Sequence, residues 1–101
     1  MKPALPNAPQ VLETLRRNEV VFAAMFGSRA KGNAHNKSVF DLLVEFAPHA
    51  KTSLFRLVGL QDSLAHILGG PVDLVTTGGL NPLMKDEVMS SLMVLYDQRP
   101  G

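Results

Sequence analysis

Gly27-Ser28 closes one apolar run, and Asp41, thirteen residues after Ser28, opens another. A glycine at the end of a buried strand lets the backbone turn sharply and come close to a ligand. The N–H groups that follow, with the Ser28 hydroxyl, can bind phosphate oxygens, and Arg29 and Lys31 add positive charge beside them. Taken alone, Gly-Ser is better read as an ordinary turn. A carboxylate at the head of an apolar strand is costly unless it is paired, solvated or bound to metal. Asp41 is therefore either a metal-binding group or a strand-edge residue accepting backbone hydrogen bonds. Asp73 repeats the pattern one residue into the run Val72-Asp73-Leu74-Val75-Thr76, where the plain alternative is a cap on the loop after Gly70-Pro71. If the two strands were neighbours, their carboxylates would reach one Mg²⁺, which takes one or two carboxylates plus waters and substrate phosphates.

Position 39 departs from this arrangement. Side chains alternate along a strand, so residues 39, 41, 43 and 45 share a face, and 39 lies about 6.6 Å from 41. A second metal-binding carboxylate belongs there, and the chain has Val39. Glu45 shares the face but is about 13 Å from Asp41. Ser38 points the other way on a regular strand.

These residues need elements to hold them. Pro3 and Pro6 predict an irregular start over residues 1–8, before a single domain over 9–98. Asn7 is placed to cap a helix with Pro9 in its first turn, on an apolar stripe of Val11, Leu12, Leu15 and Val20. Residues 20–26 are continuously apolar and too short for a typical helix, so they read as a buried strand. A second strand runs over residues 39–46, with Leu42, Val44 and Phe46 toward the core. Thr52 or Ser53 caps a helix over residues 54–68 with Leu54, Leu57, Val58, Leu64, Ala65 and Leu68 as its stripe; Gly69-Gly70-Pro71 ends it. Residues 72–76 form a third strand. Asn81-Pro82 opens a last helix to about residue 91, and residues 93–96 are a fourth strand or the end of that helix. The fold class is α/β (α+β): a mixed three- to four-stranded sheet flanked by helices.

Composition narrows the function. The chain has 101 residues, 46% hydrophobic and 19% charged, with net charge +1, so it lacks the basic balance of a dedicated nucleic-acid binder. It has no cysteine, which excludes disulfides, thiolate metal sites and cysteine nucleophiles. No apolar run approaches the roughly 20 residues that span a bilayer, and the start has no signal-peptide core; a soluble cytoplasmic protein is expected. His35, His49 and His66 have no metal-ligand spacing and read as surface residues, and the methionines read as packing.

The combined pattern of Gly27-Ser28-Arg29-Ala30-Lys31-Gly32, then Ser38-x-x-Asp41-Leu42-Leu43-Val44-Glu45-Phe46, then Pro71-Val72-Asp73-Leu74-Val75 resembles the minimal nucleotidyltransferases (MNT) of the DNA polymerase β-like superfamily. The similarity covers nearly the whole domain. It implies the nucleotidyltransferase fold, with a triphosphate held at Gly27 and Ser28. It implies Mg²⁺ on an Asp-x-Asp that maps to Val39 and Asp41, with a third carboxylate at Asp73. The implied reaction is attack of a hydroxyl on the α-phosphorus of a nucleoside triphosphate. Small members of the family often act as antitoxins beside a HEPN-domain RNase toxin, and some transfer AMP from ATP to a tyrosine of that toxin.

Two functions follow. One is Mg²⁺-dependent transfer of a nucleotide to a protein hydroxyl, weakened by Val39. The other is a degenerate binding module that neutralises a HEPN partner, or binds nucleotide, without turnover. The last helix offers Leu83, Met84, Val88 and Met89 as partner anchors, although packing against the sheet is the favoured reading for all four.

Overall fold

The computed structural model describes residues 5–27 and 39–99. Ser28, Arg29 and Lys31 lie outside the described residues.

Helix α1 (Ala8–Arg17) leads into β1 (Val20–Phe26), which pairs antiparallel with β2 (Phe40–Phe46). Helix α2 (Leu54–Leu68) carries the chain across to β3 (Val72–Thr76), parallel to β2. Two 3-10 turns (Thr77–Gly79 and Pro82–Met84) and helix α3 (Lys85–Ser90) precede β4 (Met93–Asp97), which pairs antiparallel with β1. The mixed four-stranded sheet has the order β3-β2-β1-β4.

Both faces of the sheet are covered, unequally. On one side Val11 and Leu15 of α1 and Leu60, Leu64 and Leu68 of α2 pack on Ala23, Met25, Phe40, Leu42, Val44, Val72 and Leu74. On the other, Val88 of α3 packs on Phe22, Ala24 and Leu43. The strand alternation therefore points Leu42 and Val44 into the main core, as expected, and puts Asp41 on the α3 side beside Leu43.

Some local expectations are corrected and others are decided between their alternatives. Asn7 does not cap α1 with its side chain; it sits in the left-handed region (φ 55°), which turns its amide away from the helix. Its backbone carbonyl accepts from the Gln10 and Val11 N–H groups, and its Nδ2 donates to the Ile67 carbonyl at 2.9 Å, tying α1 to the end of α2. Val20 belongs to β1, because the chain turns at Glu19 (φ 63°). Ser53 is the α2 cap, accepting from Arg56 N–H, and Gly69 ends the helix at φ 75°. The buried α2 stripe is Leu60, Leu64 and Leu68, whereas Leu54 and Val58 are exposed in its first turns. The last helix is shorter than expected: Asn81 accepts from Leu83 N–H as a cap should, but a 3-10 turn comes before the six residues of α3. So short an element turns only Val88 to the sheet, and Leu83, Met84 and Met89 are exposed. Residues 93–97 form a strand.

Candidate active site

The register between β2 and β3 decides the geometry. Asp41 is the direct partner of Asp73 in the parallel pair. Partners on neighbouring strands point the same way and stand about 4.8 Å apart at the backbone. The carboxylates that the sequence placed 32 positions apart thus become neighbours at the same end of the sheet. Burial pushes the Asp41 carboxyl above its usual range, and the charge of Asp73 adds to the effect.

Gly27 completes the floor. Asp41 pairs with Phe26 across β1 and β2, so the residue after Phe26 passes over the Asp41 side chain. A Cβ on Gly27 would lie 2.6 Å from Asp41 Oδ2, and its φ of +78° is a conformation that favours glycine. Only glycine lets the turn close over the carboxylate. The Gly27 N–H donates to Ser91 Oγ at 3.4 Å, which ties this turn to the end of α3.

A cleft of about 460 Å³ opens over these groups, a size that accommodates a nucleotide. Phe26, Val75, Leu80, Met84 and Val88 form its apolar wall, and Asp41, Asp73, Asn81, Glu87 and Ser91 its polar groups. Among the described residues no group of three or more His, Cys, Asp or Glu is arranged to hold a metal. Asp41 and Asp73 supply two carboxylates, which fits Mg²⁺ completed by water and phosphate oxygens. Val39 stands just before β2, 40% exposed, and offers no oxygen to this set.

The "Polymerase beta, Nucleotidyltransferase" family matches residues 10–100. The chain belongs to this nucleotidyltransferase family. A Methanocaldococcus jannaschii protein described as a candidate protein adenylyltransferase is 35% identical over 81 residues, covering 80% of this chain and 85% of its own length. A solved structure described as a candidate minimal nucleotidyltransferase is 32% identical, with a TM-score of 0.72 over 85% of this chain and 86% of that one. A chain from the complex of a tri-AMPylated Shewanella oneidensis HEPN toxin with its MNT antitoxin shares the fold at a TM-score of 0.69, 22% identity, 90% of this chain and 70% of that one. The mixed sheet with three helices is the nucleotidyltransferase fold.

Of the predicted site residues, the structure brings together Gly27, Asp41 and Asp73. His49 and His66 are both exposed. The sequence reading did not find Glu87 and Ser91 as cleft residues. Their spacing carried the signal: four positions apart on a helix, they share one face, next to the buried Val88.

Proposed function

We propose that this chain is an antitoxin-type minimal nucleotidyltransferase that transfers AMP from Mg·ATP to a hydroxyl of a HEPN-domain toxin, at a rate lowered by Val39. The observation that carries this reading is the Asp41–Asp73 register pair beneath the Gly27 turn. The adenylyl group and the protein acceptor are supported by the M. jannaschii relative, and the HEPN partner by the likeness to the Shewanella oneidensis complex.

In this reading Asp41 and Asp73 would hold Mg²⁺, and Gly27 with Ser28, Arg29 and Lys31 would take the phosphates. Bound there, the ion neutralises charge on the phosphate oxygens. The acceptor oxygen forms a bond to the α-phosphorus as the bond to the bridging oxygen breaks. Pyrophosphate leaves, and the acceptor's proton passes to water or a nearby carboxylate such as Asp73.

Val39 favours a second reading, a binding module that neutralises its partner, or binds nucleotide, without turnover. The experiment is incubation with the product of the neighbouring gene and ATP labelled on the α-phosphate, with and without Mg²⁺. Label on the partner only with Mg²⁺ supports the transferase. A stable complex that never takes label supports the binding module.

A further inference from the structure

Ser91 stands opposite Gly27, and the strand register explains why. In the β1–β4 pair, Val94 faces Ala24 and Met93 faces Met25. Antiparallel strands run in opposite directions, so the next positions in line are Leu92 with Phe26 and Ser91 with Gly27. Yet β4 begins only at Met93, and Ser91 still belongs to the end of α3, where its N–H donates to the Val88 carbonyl. The backbone ladder therefore stops short of Gly27 on this side. A side chain takes its place: the Gly27 N–H donates to Ser91 Oγ at 3.4 Å.

The hydroxyl is itself held. Its proton is within reach of the Val88 carbonyl at 3.3 Å and the Glu87 carbonyl at 3.4 Å, both in the last turn of α3. Helix α3 is fixed in turn by the buried Val88, packed on Phe22, Ala24 and Leu43. On the other side of β1, Phe26 is paired with Asp41, and Gly27 passes so close to Asp41 Oδ2 that a Cβ would not fit. The Gly27 peptide is thus set between a carboxylate and a hydroxyl, and Gly27, Asp41 and Ser91 all line the same cleft. Without the hydroxyl, a part-buried N–H loses its partner. The peptide can then rotate toward water, and any such rotation changes the space over Asp41 Oδ2.

We propose, taking the ligand from the transfer reading above, that Ser91 is a positioning residue for Mg·ATP: its hydroxyl holds the Gly27 peptide where it clears the Asp41 carboxylate. It acts through Gly27 and not on the reacting atoms. Ser90 is the control. It precedes Ser91 on the same helix end, is exposed, and its Oγ donates to the Glu87 carbonyl at 2.7 Å instead of reaching Gly27.

The test is calorimetric titration of Mg·ATP into the parent, Ser91→Ala, Ser91→Thr, Ser90→Ala, Gly27→Ala and the double variant Gly27→Ala/Ser91→Ala. Each is titrated well below its own melting transition, so that a helix end that is merely less stable leaves the affinity at the parent value. Ser91→Ala is expected to weaken Mg·ATP binding about fivefold. Ser91→Thr keeps the hydroxyl and is expected to restore it, and Ser90→Ala to leave it unchanged. The double variant is expected to bind no more weakly than Gly27→Ala alone, because both changes act on one peptide. Parent-like affinity in Ser91→Ala, an equal loss in Ser90→Ala, or losses that multiply in the double variant overturn the positioning role while leaving the transfer reading intact. A parent chain that binds no Mg·ATP overturns the transfer reading, and the role of Ser91 with it.

Discussion

The two ends of the sheet treat charge in opposite ways. At the end where β1 begins, Glu19 accepts hydrogen bonds from Arg56 Nη2 at 3.0 Å and His49 Nε2 at 2.8 Å. Arg56 also donates to the carbonyls of Asn18 and Lys51, and Ala47 N–H donates to the Glu19 carbonyl. The Arg56 hydrogen bond holds the Glu19 carboxyl below its usual range. At the end where β1 stops, two carboxylates stand side by side. Among the described residues neither Asp41 nor Asp73 has an ion pair, and Asp41 is pushed upward. The first end is a clasp that joins α1, β1 and α2. The second keeps two like charges side by side beneath an open cleft, an arrangement that the proposed Mg²⁺ and phosphates would relieve.

The largest expected effect sharpens the cleft side of this contrast. Val39→Asp adds the carboxylate that the family's pattern places there. Restoring it is worth roughly 3–5 kcal/mol of transition-state stabilisation, on the order of a hundred- to a few thousand-fold in rate at about 1.4 kcal/mol per decade. Labelled AMP transfer reads the gain, and calorimetry reads the accompanying rise in Mg²⁺ affinity. The variant should also melt lower without metal, because a third carboxylate joins the pair. Equal transfer and equal affinity would show that position 39 does not face the metal site.

Gly27→Ala attacks the turn that covers Asp41. A left-handed φ costs a non-glycine residue about 1–2 kcal/mol, and the new Cβ would press on Asp41 Oδ2. Mg·ATP affinity should fall about tenfold. By contrast, Arg56→Ala opens the clasp at the other end. Losing its bonds to the Asn18 and Lys51 carbonyls should lower stability by about 1–3 kcal/mol, measured by urea unfolding, with Mg·ATP affinity unchanged. A loss of affinity in Arg56→Ala would mean that the ends are coupled and the contrast is false.

The sequence disclosed the parts of the site governed by local rules. Gly27 ends β1 because the apolar run stops there. Asp41 faces away from the main core because a strand alternates with period two. Ser53 and Gly69 bound α2 because capping is a short-range matter. What stayed hidden depends on long-range pairing. Nothing within β2 or β3 alone specifies that Asp41 lies directly opposite Asp73, because the two strands are joined through α2 and their register is a long-range pairing. The Glu19–Arg56 clasp joins residues 37 positions apart and has no local signature. Asn81-Pro82 signals a helix start equally well for a 3-10 turn, so neither the shortness of α3 nor the exposure of Leu83 is legible locally.

The smallest effect separates the two ends by sign. Asp41 has a folded pKa above its unfolded value, so its charge opposes folding at neutral pH. That opposition disappears as pH falls through the raised pKa and the proton binds. Asp41→Asn should therefore stabilise the metal-free chain at pH 7, within about 1 kcal/mol, and the gain should shrink as the pH is lowered through that point. Glu19 is the reverse. Its folded pKa lies below the ordinary 4.5, so its contribution is present above 4.5 and lost as pH falls through the depressed value. Glu19→Gln should cost stability at pH 7, and the cost should fade in acid. Thermal melts of both variants against the parent, from neutral pH into the acid range, give two difference curves of opposite sign. Saturating Mg·ATP should invert the Asp41→Asn curve and leave the Glu19→Gln curve in place, because only the first removes a group that meets the ligand. Curves of the same sign, or an Asp41→Asn gain that survives Mg·ATP, would mean that Asp41 is a structural carboxylate like Glu19 rather than one kept free for the cation.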